Sequence, residues 1–377
     1  MILGIDASNI RAGGGLTHLK EIIKCGNPEK FGINKVIVWS NDNTLKSIPD
    51  NTWLVKRTHP YLNKSSFWSF VFQIFILSNK AKKENCNLLF VPGGTFLGTF
   101  RKIVSMSQNM LPFEKLEQNR FTDWKTRLRF QVLYFTQSIT LKKSKAVIFL
   151  TSYAKNYIIK KIKLKNRNEI IPHGINLNFL NEPKTQNPLS FYSKTQPFKL
   201  LYVSIVTVYK HQWNVAEAVI RLSKEGYPLE LDLVGDFIND SLEKVNKIKS
   251  TDKYNCINYK GLIPYEELAS IYKNADGFIF ASSCENMPII LIEAMTAGLP
   301  ISSSNMGPMP EVLKDGGFYF DPLDVDSIYL ALKEMLDNEK LRQQKSLISY
   351  NNSISYTWKE CSDKTFYFLS TIANNHK

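Results

Sequence analysis

Residues 280–300 read Phe-Ala-Ser-Ser-Cys-Glu-Asn-Met-Pro-Ile-Ile-Leu-Ile-Glu-Ala-Met-Thr-Ala-Gly-Leu-Pro. An apolar strand closes at Ser282 or Ser283, and a helix begins near Pro288. Asn286 suits an N-cap, Pro288 the first turn and Gly298 the C-terminal stop. A strand that feeds a helix through a short loop is the building unit of an α/β domain. Main-chain N–H groups of the 286–289 turn, those of Asn286 and Met287 among them, with the positive end of the helix dipole, then offer a seat for an anionic or hydroxyl-rich ligand. Glu285 and Glu293 fall in a Glu-x7-Glu spacing. A carboxylate accepts both hydroxyls of a vicinal diol, so two such carboxylates suit two sugar rings. A dipole-stabilising Glu285 with a solvated Glu293 fits the spacing equally well.

The same alternation extends along the whole chain. Short β-branched or aromatic runs at 2–5, 36–39, 88–91, 103–106 and 147–150 alternate with longer amphipathic stretches, and the pattern restarts at 200–204, 229–234, 257–259, 277–281 and 300–302. Near-continuous apolar strands belong to parallel sheets covered on both faces. A chain of 377 residues suits two such domains. The reading is an α/β protein of two facing Rossmann-like, doubly wound domains, with a ligand cleft between the carboxyl ends of their sheets. The first domain covers 1–180, a polar linker 181–197, the second domain 198–357, and a C-terminal helix 358–377.

Composition narrows the class. With 44% hydrophobic residues the chain is not disordered. Its five cysteines are scattered, odd in number and never spaced Cys-x-x-Cys, which argues against a disulfide framework and for a reducing cytoplasm. No basic segment precedes an apolar one at the start. The longest apolar run, Phe67 to Leu77, is interrupted by Ser69 and Gln73 and is too short to cross a bilayer. Of the formal charge of +14, segment 101–167 carries sixteen Lys or Arg against Glu114, Glu117 and Asp123. With Phe121, Trp124, Phe130, Tyr134 and Phe135 among these cations, the segment suits an anionic membrane surface or an anionic polymer. A solvated helix face is the plain alternative.

Two further motifs bear on chemistry. Gly13-Gly14-Gly15 follows the first strand, so a ligand can approach the backbone closely there. Asp324-Val325-Asp326 has the form of a metal-binding Asp-x-Asp. Its place after Asp321-Pro322 and before the apolar periodicity of 328–336 marks a helix N-cap instead. No catalytic metal and no cofactor are expected.

The string Glu285 to Gly298 with Pro300, followed by Gly307-Pro308-Met309-Pro310-Glu311-Val312, resembles the donor-site signature of retaining glycosyltransferase family 4, the group 1 glycosyl transferases of GT-B fold. The stretches 170–175, 233–236 and 261–276 extend the likeness, which is dense in the second half and sparse in the first. The resemblance implies metal-independent transfer of a hexose from a nucleotide diphosphate sugar, with Glu285 at the hexose and Glu293 at the ribose. Lys210 matches the family lysine at the diphosphate, with His211 beside it, whereas Ile205 stands where many members have arginine. Gly14 and Gly15 would border diphosphate and acceptor. Gln108 and Asn109 replace a family histidine near the reacting sugar, and an amide cannot act as a base. His173 replaces a common asparagine and is taken as a turn residue, and His18 as a helix-face residue. The last helix would return to the first domain.

The implied acceptor is a glycan or glycolipid, such as lipid-linked lipopolysaccharide, O-antigen or capsule. It would be met at the inner face of the plasma membrane by a cytoplasmic, peripherally bound protein. No nucleic acid is expected as a partner. A nucleotide-sugar epimerase or phosphorylase on the same fold, and a non-enzymatic binder of polyanions, are the competing readings.

Overall fold

The computed structural model describes residues 1–238 and 241–374. It divides into two compact units. Unit 1 takes in Met1–Gln118, Asp123–Gly174 and the chain from Tyr356, and unit 2 takes in Asn119–Thr122 and Ile175–Ser355.

Unit 1 is built on seven strands: β1 (Ile2–Asp6), β2 (Lys35–Trp39), β3 (Leu54–Arg57), β4 (Leu88–Val91), β5 (Ile103–Met106), β6 (Ala146–Phe149) and β7 (Arg167–Ile170). Their order is β3-β2-β1-β4-β5-β6-β7, every pairing parallel. Strands β4, β5 and β6 are buried at every position, as continuous apolar runs require. The edges β3 and β7 carry Lys56, Arg57, Arg167 and Glu169, and periodicity did not reveal them. Helix Trp358–Asn374 packs on this unit. Ser362 Oγ donates to Ile22 O at 2.7 Å, and the Phe366 ring lies 6.2 Å from Trp53.

Unit 2 is built on β8 (Phe198–Val203), β9 (Leu229–Val234), β10 (Ile257–Gly261), β11 (Gly277–Phe280), β12 (Ile301–Ser304) and β13 (Gly317–Phe320), in the order β10-β9-β8-β11-β12-β13, again all parallel. In each sheet the winding reverses once, between β1 and β4 and between β8 and β11. The crevice beyond the carboxyl ends at such a reversal is where doubly wound sheets bind ligands.

The stretch 181–197, read as a linker, lies on unit 2. Asn181 N donates to Thr296 O at 3.0 Å, and Gln186 N to Gln343 Oε1 at 2.8 Å. The fully buried Arg342 donates to Gln186 Oε1 and Asn187 O, and caps a helix end through Met335 O and Leu336 O. A guanidinium satisfied in this way fastens the segment to unit 2, which takes up the chain from Ile175.

Candidate active site

In unit 2 the loop after β8 and the loop after β11 are tied together. Tyr202, buried on β8, donates its hydroxyl to Lys210 O at 2.5 Å and accepts from Ala281 N at 3.2 Å. Ser283 N donates to Tyr209 O at 2.9 Å. This lacing delivers Lys210 to Glu285. Lys210 Nζ and Glu285 Oε1 form an ion pair, the side chains only 6% and 16% exposed, and Ser282 Oγ donates to the same carboxylate oxygen at 2.7 Å. The ammonium also lies 4.7 Å from the centre of the Phe280 ring, where a cation and a π face attract.

His211 completes the cluster with its backbone in the left-handed region, φ 50°, at the start of helix Gln212–Lys224. Its Nε2 lies 3.0 Å from Ser283 Oγ. Burial, with smaller contributions from Arg120 and Lys244, pushes its pKa down to about 3. The ring is therefore neutral at neutral pH and adds a dipole, not a charge. Phe121 of the basic segment belongs to unit 2 and lies 6.5 Å from the Tyr209 ring.

Glu293 sits in a second cluster. It lies in helix Ile289–Thr296 and is 2% exposed. Tyr265 OH donates to its Oε1 at 3.3 Å and Tyr272 OH to its Oε2 at 3.2 Å. Phe179 closes over both phenols at 5.7 and 5.4 Å. Burial pushes the Glu293 pKa up to about 7, against the pull of both hydroxyls. A solvated Glu293, the plain reading of its spacing, is thereby excluded. The tyrosines escaped sequence reading, although their seven-residue separation places both on one face of helix Tyr265–Asn274.

The helix after Glu285 starts later than expected. Pro288, φ −80° and ψ 98°, is its N-cap and gives no side-chain bond, while Asn286 and Met287 lie buried in the preceding loop. Proline has no N–H and its extended backbone holds the first turn off until Ile289. Gly298, φ +68°, ends the helix as read. Asp324 Oδ1 accepts from Asp326 N at 2.9 Å as the N-cap of helix Val325–Asp337, and Asp326 pairs with Arg221 at 2.5 Å.

In unit 1 the glycines are not a loop but the first turn of helix Gly13–Lys24, with Gly13 at φ +67° and Gly14 exposed beside it. A Cβ on Gly15 would lie 3.4 Å from Gln108 Oε1, so these two candidates are neighbours. Gln108 donates to Pro92 O at 3.1 Å, and Asn109 Oδ1 accepts from Leu111 N at 3.1 Å in a local turn. His18 and His173 are both buried, their Nδ1 atoms 3.1 Å apart beside Trp358. Burial pushes the His18 pKa down to about 3 and that of His173 well below its ordinary value. One neutral ring donates and the other accepts, so the pair is a packing element of unit 1. His18 is thus a helix-face residue, as read, on the buried face of helix Gly13–Lys24, and His173 lies outside the helices and strands.

Residues 184–351, which contain both clusters of unit 2, match the family described as Glycosyl transferases group 1. Over this segment the chain is similar to the group 1 glycosyltransferases. Among relatives of this chain, an O-antigen chain mannosyltransferase B of Escherichia coli is 29% identical over 37% of this chain and 36% of its own length. An amylovoran biosynthesis glycosyltransferase of Erwinia amylovora is 23% identical over 56% of this chain and 58% of its own length. The chain thus spans between about a third and three fifths of these curated relatives. An Anabaena protein solved in complex with UDP-glucose superposes with a TM-score of 0.71 at 15% identity, covering 98% of this chain and 100% of that one. This likeness gives the GT-B fold.

Proposed function

We propose that this glycosyltransferase moves a hexose, with retention, from a nucleotide diphosphate sugar to a lipid-linked cell-surface glycan such as lipopolysaccharide, O-antigen or capsule. It would work in the cytoplasm, peripherally at the inner face of the plasma membrane, without metal or cofactor. The observation that carries the reading is the buried Lys210 and Glu285 pair beyond β8 and β11, at the winding reversal of the family-matched unit.

In transfer the bond from the anomeric carbon to the phosphate oxygen breaks, with positive charge on the ring and negative charge on the diphosphate. Preorganised charge where charge develops lowers that barrier. Lys210 meets the diphosphate together with the amides that open helix Ile289–Thr296. Glu285 holds the hexose hydroxyls and, paired with Lys210, keeps the ammonium oriented. Glu293 takes the ribose diol. On the acceptor side Gln108 and Asn109 orient hydroxyls, and the acceptor proton passes to the leaving diphosphate oxygen, because amides do not take it. The name of the Anabaena neighbour supports a nucleotide-sugar donor, and the relatives' names support a polysaccharide acceptor.

Calorimetry with UDP, GDP and ADP sugars tests the donor half. One class should bind the parent and bind Glu293→Ala more weakly. If no nucleotide sugar binds the folded parent, the reading fails.

A further inference from the structure

Helix Trp124–Lys143 in unit 1 is apolar on two opposite sides. Phe130, Gln137, Thr140 and Leu141 face the interior. On the other side Trp124, Leu128, Val132, Phe135 and Ile139 are each more than half exposed. Their spacings of four, four, three and four residues place them on one stripe of the helix. Lys125, Arg129 and Lys142 are exposed along it, and no acidic residue occurs from 124 to 168. Asp123 accepts from Lys125 N and Thr126 N as the helix cap.

A second helix, Ser66–Phe75, adds exposed Phe67, Phe70 and Phe75. Both helices grip the loop between β4 and β5. Gln73 donates to Thr95 O at 2.6 Å, and Ser78, on the following helix Leu77–Lys83, accepts from Thr99 N and Phe100 N. From the other helix Thr140 accepts from Phe96 N at 2.8 Å, and Lys143 donates to Gly98 O at 2.5 Å. The two exposed apolar rows therefore flank one loop, and a surface of this extent calls for a cover. Of the aromatics read in the basic segment, Trp124 and Phe135 belong to it. Phe121 and Phe130 are buried and Tyr134 is half-buried.

We propose that this face of unit 1 inserts into an anionic lipid bilayer, with the Trp124 to Ile139 stripe below the headgroups and the flanking cations among them. The charge pattern selects this occupant. A symmetric contact with a second copy would set Lys125, Arg129 and Lys142 against their own counterparts with no helix carboxylate to offset them. Anionic headgroups supply that offset, and an in-plane helix with an apolar face and cationic borders is the form that enters the headgroup and acyl boundary. The inference rests on the membrane part of the reading above and names the surface it uses.

The test uses the full chain with phosphatidylglycerol-containing vesicles and with pure phosphatidylcholine vesicles. The parent should sediment with the first and leave the second. Lipids brominated in the acyl chain should quench its fluorescence, and Trp124→Phe should lose that quenching. The double variant Leu128→Ser with Phe135→Ser should lower partition at least about tenfold. These side chains are exposed, and unchanged near-UV circular dichroism and sugar-nucleotide binding would show that the fold and unit 2 persist. Parent-like partition of the double variant, or unquenched Trp124 fluorescence in bound protein, would overturn insertion. So would a dimer that the double variant dissociates while the parent ignores lipid. If vesicles bind but no nucleotide sugar does, the transferase reading fails and the docking surface stands.

Discussion

The ribose contact proposed for Glu293 calls for an ionised carboxylate, which accepts at both oxygens. The Glu293 pKa of about 7, raised by burial from an ordinary 4.5, puts that ionisation at neutral pH. Donor affinity should therefore rise with pH through neutrality in the parent and be flat in Glu293→Gln. Tyr265→Phe removes a hydrogen bond that favours the carboxylate, so its midpoint should move to higher pH; calorimetric titration across neutrality gives both results. The linkage to stability has the opposite sign. The folded unit holds this proton more tightly than the unfolded chain, so the associated stabilisation is complete below the ordinary carboxylate value. It is lost as pH rises through about 7. A midpoint that stays put in Tyr265→Phe would separate the phenol from the carboxylate's chemistry.

Lys210 and Glu285 make a complementary case. Removing one partner of a buried pair strands the other and costs about 3–5 kcal/mol. Lys210→Ala should accordingly destabilise unit 2 by roughly this amount, and the double variant Lys210→Ala with Glu285→Gln by less than the two single losses together. In turnover Lys210→Arg should retain more than Lys210→Ala if Lys210 meets the diphosphate as proposed, because that contact needs positive charge. Glu285→Gln should slow transfer more than it weakens nucleotide binding. Chemical denaturation and steady-state kinetics on the parent and these four variants check the scheme. Additive stability losses would mean that the pair is not coupled.

At the scale of elements, what the sequence disclosed follows what each element buries. Strands β4 and β11 could be read because both faces are covered, leaving unbroken apolar runs. Strands β3 and β7 could not, because an edge strand carries charge on its open side. The Lys210 and Glu285 cluster was legible through motif resemblance. Tyr265, Tyr272 and Ser282 were not, because their roles arise from tertiary packing that spacing alone does not order.

Gly174 shows the same limit. A Cβ there would lie 2.1 Å from Trp358 N, a contact between distant parts of the chain. Gly174→Ala should lower the unfolding temperature of unit 1 by the equivalent of at least about 1–3 kcal/mol, with donor binding intact in whatever remains folded. Scanning calorimetry measures it. A related expectation concerns the Asp324 cap. Since this carboxylate serves a helix end and Asp326 serves Arg221, turnover should survive EDTA, and Asp324→Ala should cost about 1 kcal/mol of stability. Activity abolished by EDTA and restored by magnesium or manganese would return these carboxylates to the chemistry.

Across the whole molecule, charge separates the two tasks proposed for the chain. Segment 101–167 carries an excess of thirteen positive charges out of a formal +14, so the remainder of the chain is nearly neutral. A field of this kind acts on an extended anionic surface at long range and fades when salt shortens the Debye length, about 10 Å at 0.1 M and about 3 Å at 1 M. The Lys210 and Glu285 pair, buried and in contact, is screened far less. Salt should therefore discriminate between the tasks. With an acceptor embedded in anionic vesicles, the rate should fall as salt rises through the range that releases the protein from lipid. With a short water-soluble acceptor, donor turnover should change little over that range. Lys142→Gln with Lys145→Gln should reproduce the high-salt behaviour at low salt. Lys143 is left in place, because its ammonium holds Gly98 O and its loss would loosen the loop itself. Parallel salt curves for the two acceptors would mean that the basic field acts on the sugar nucleotide and not on the membrane.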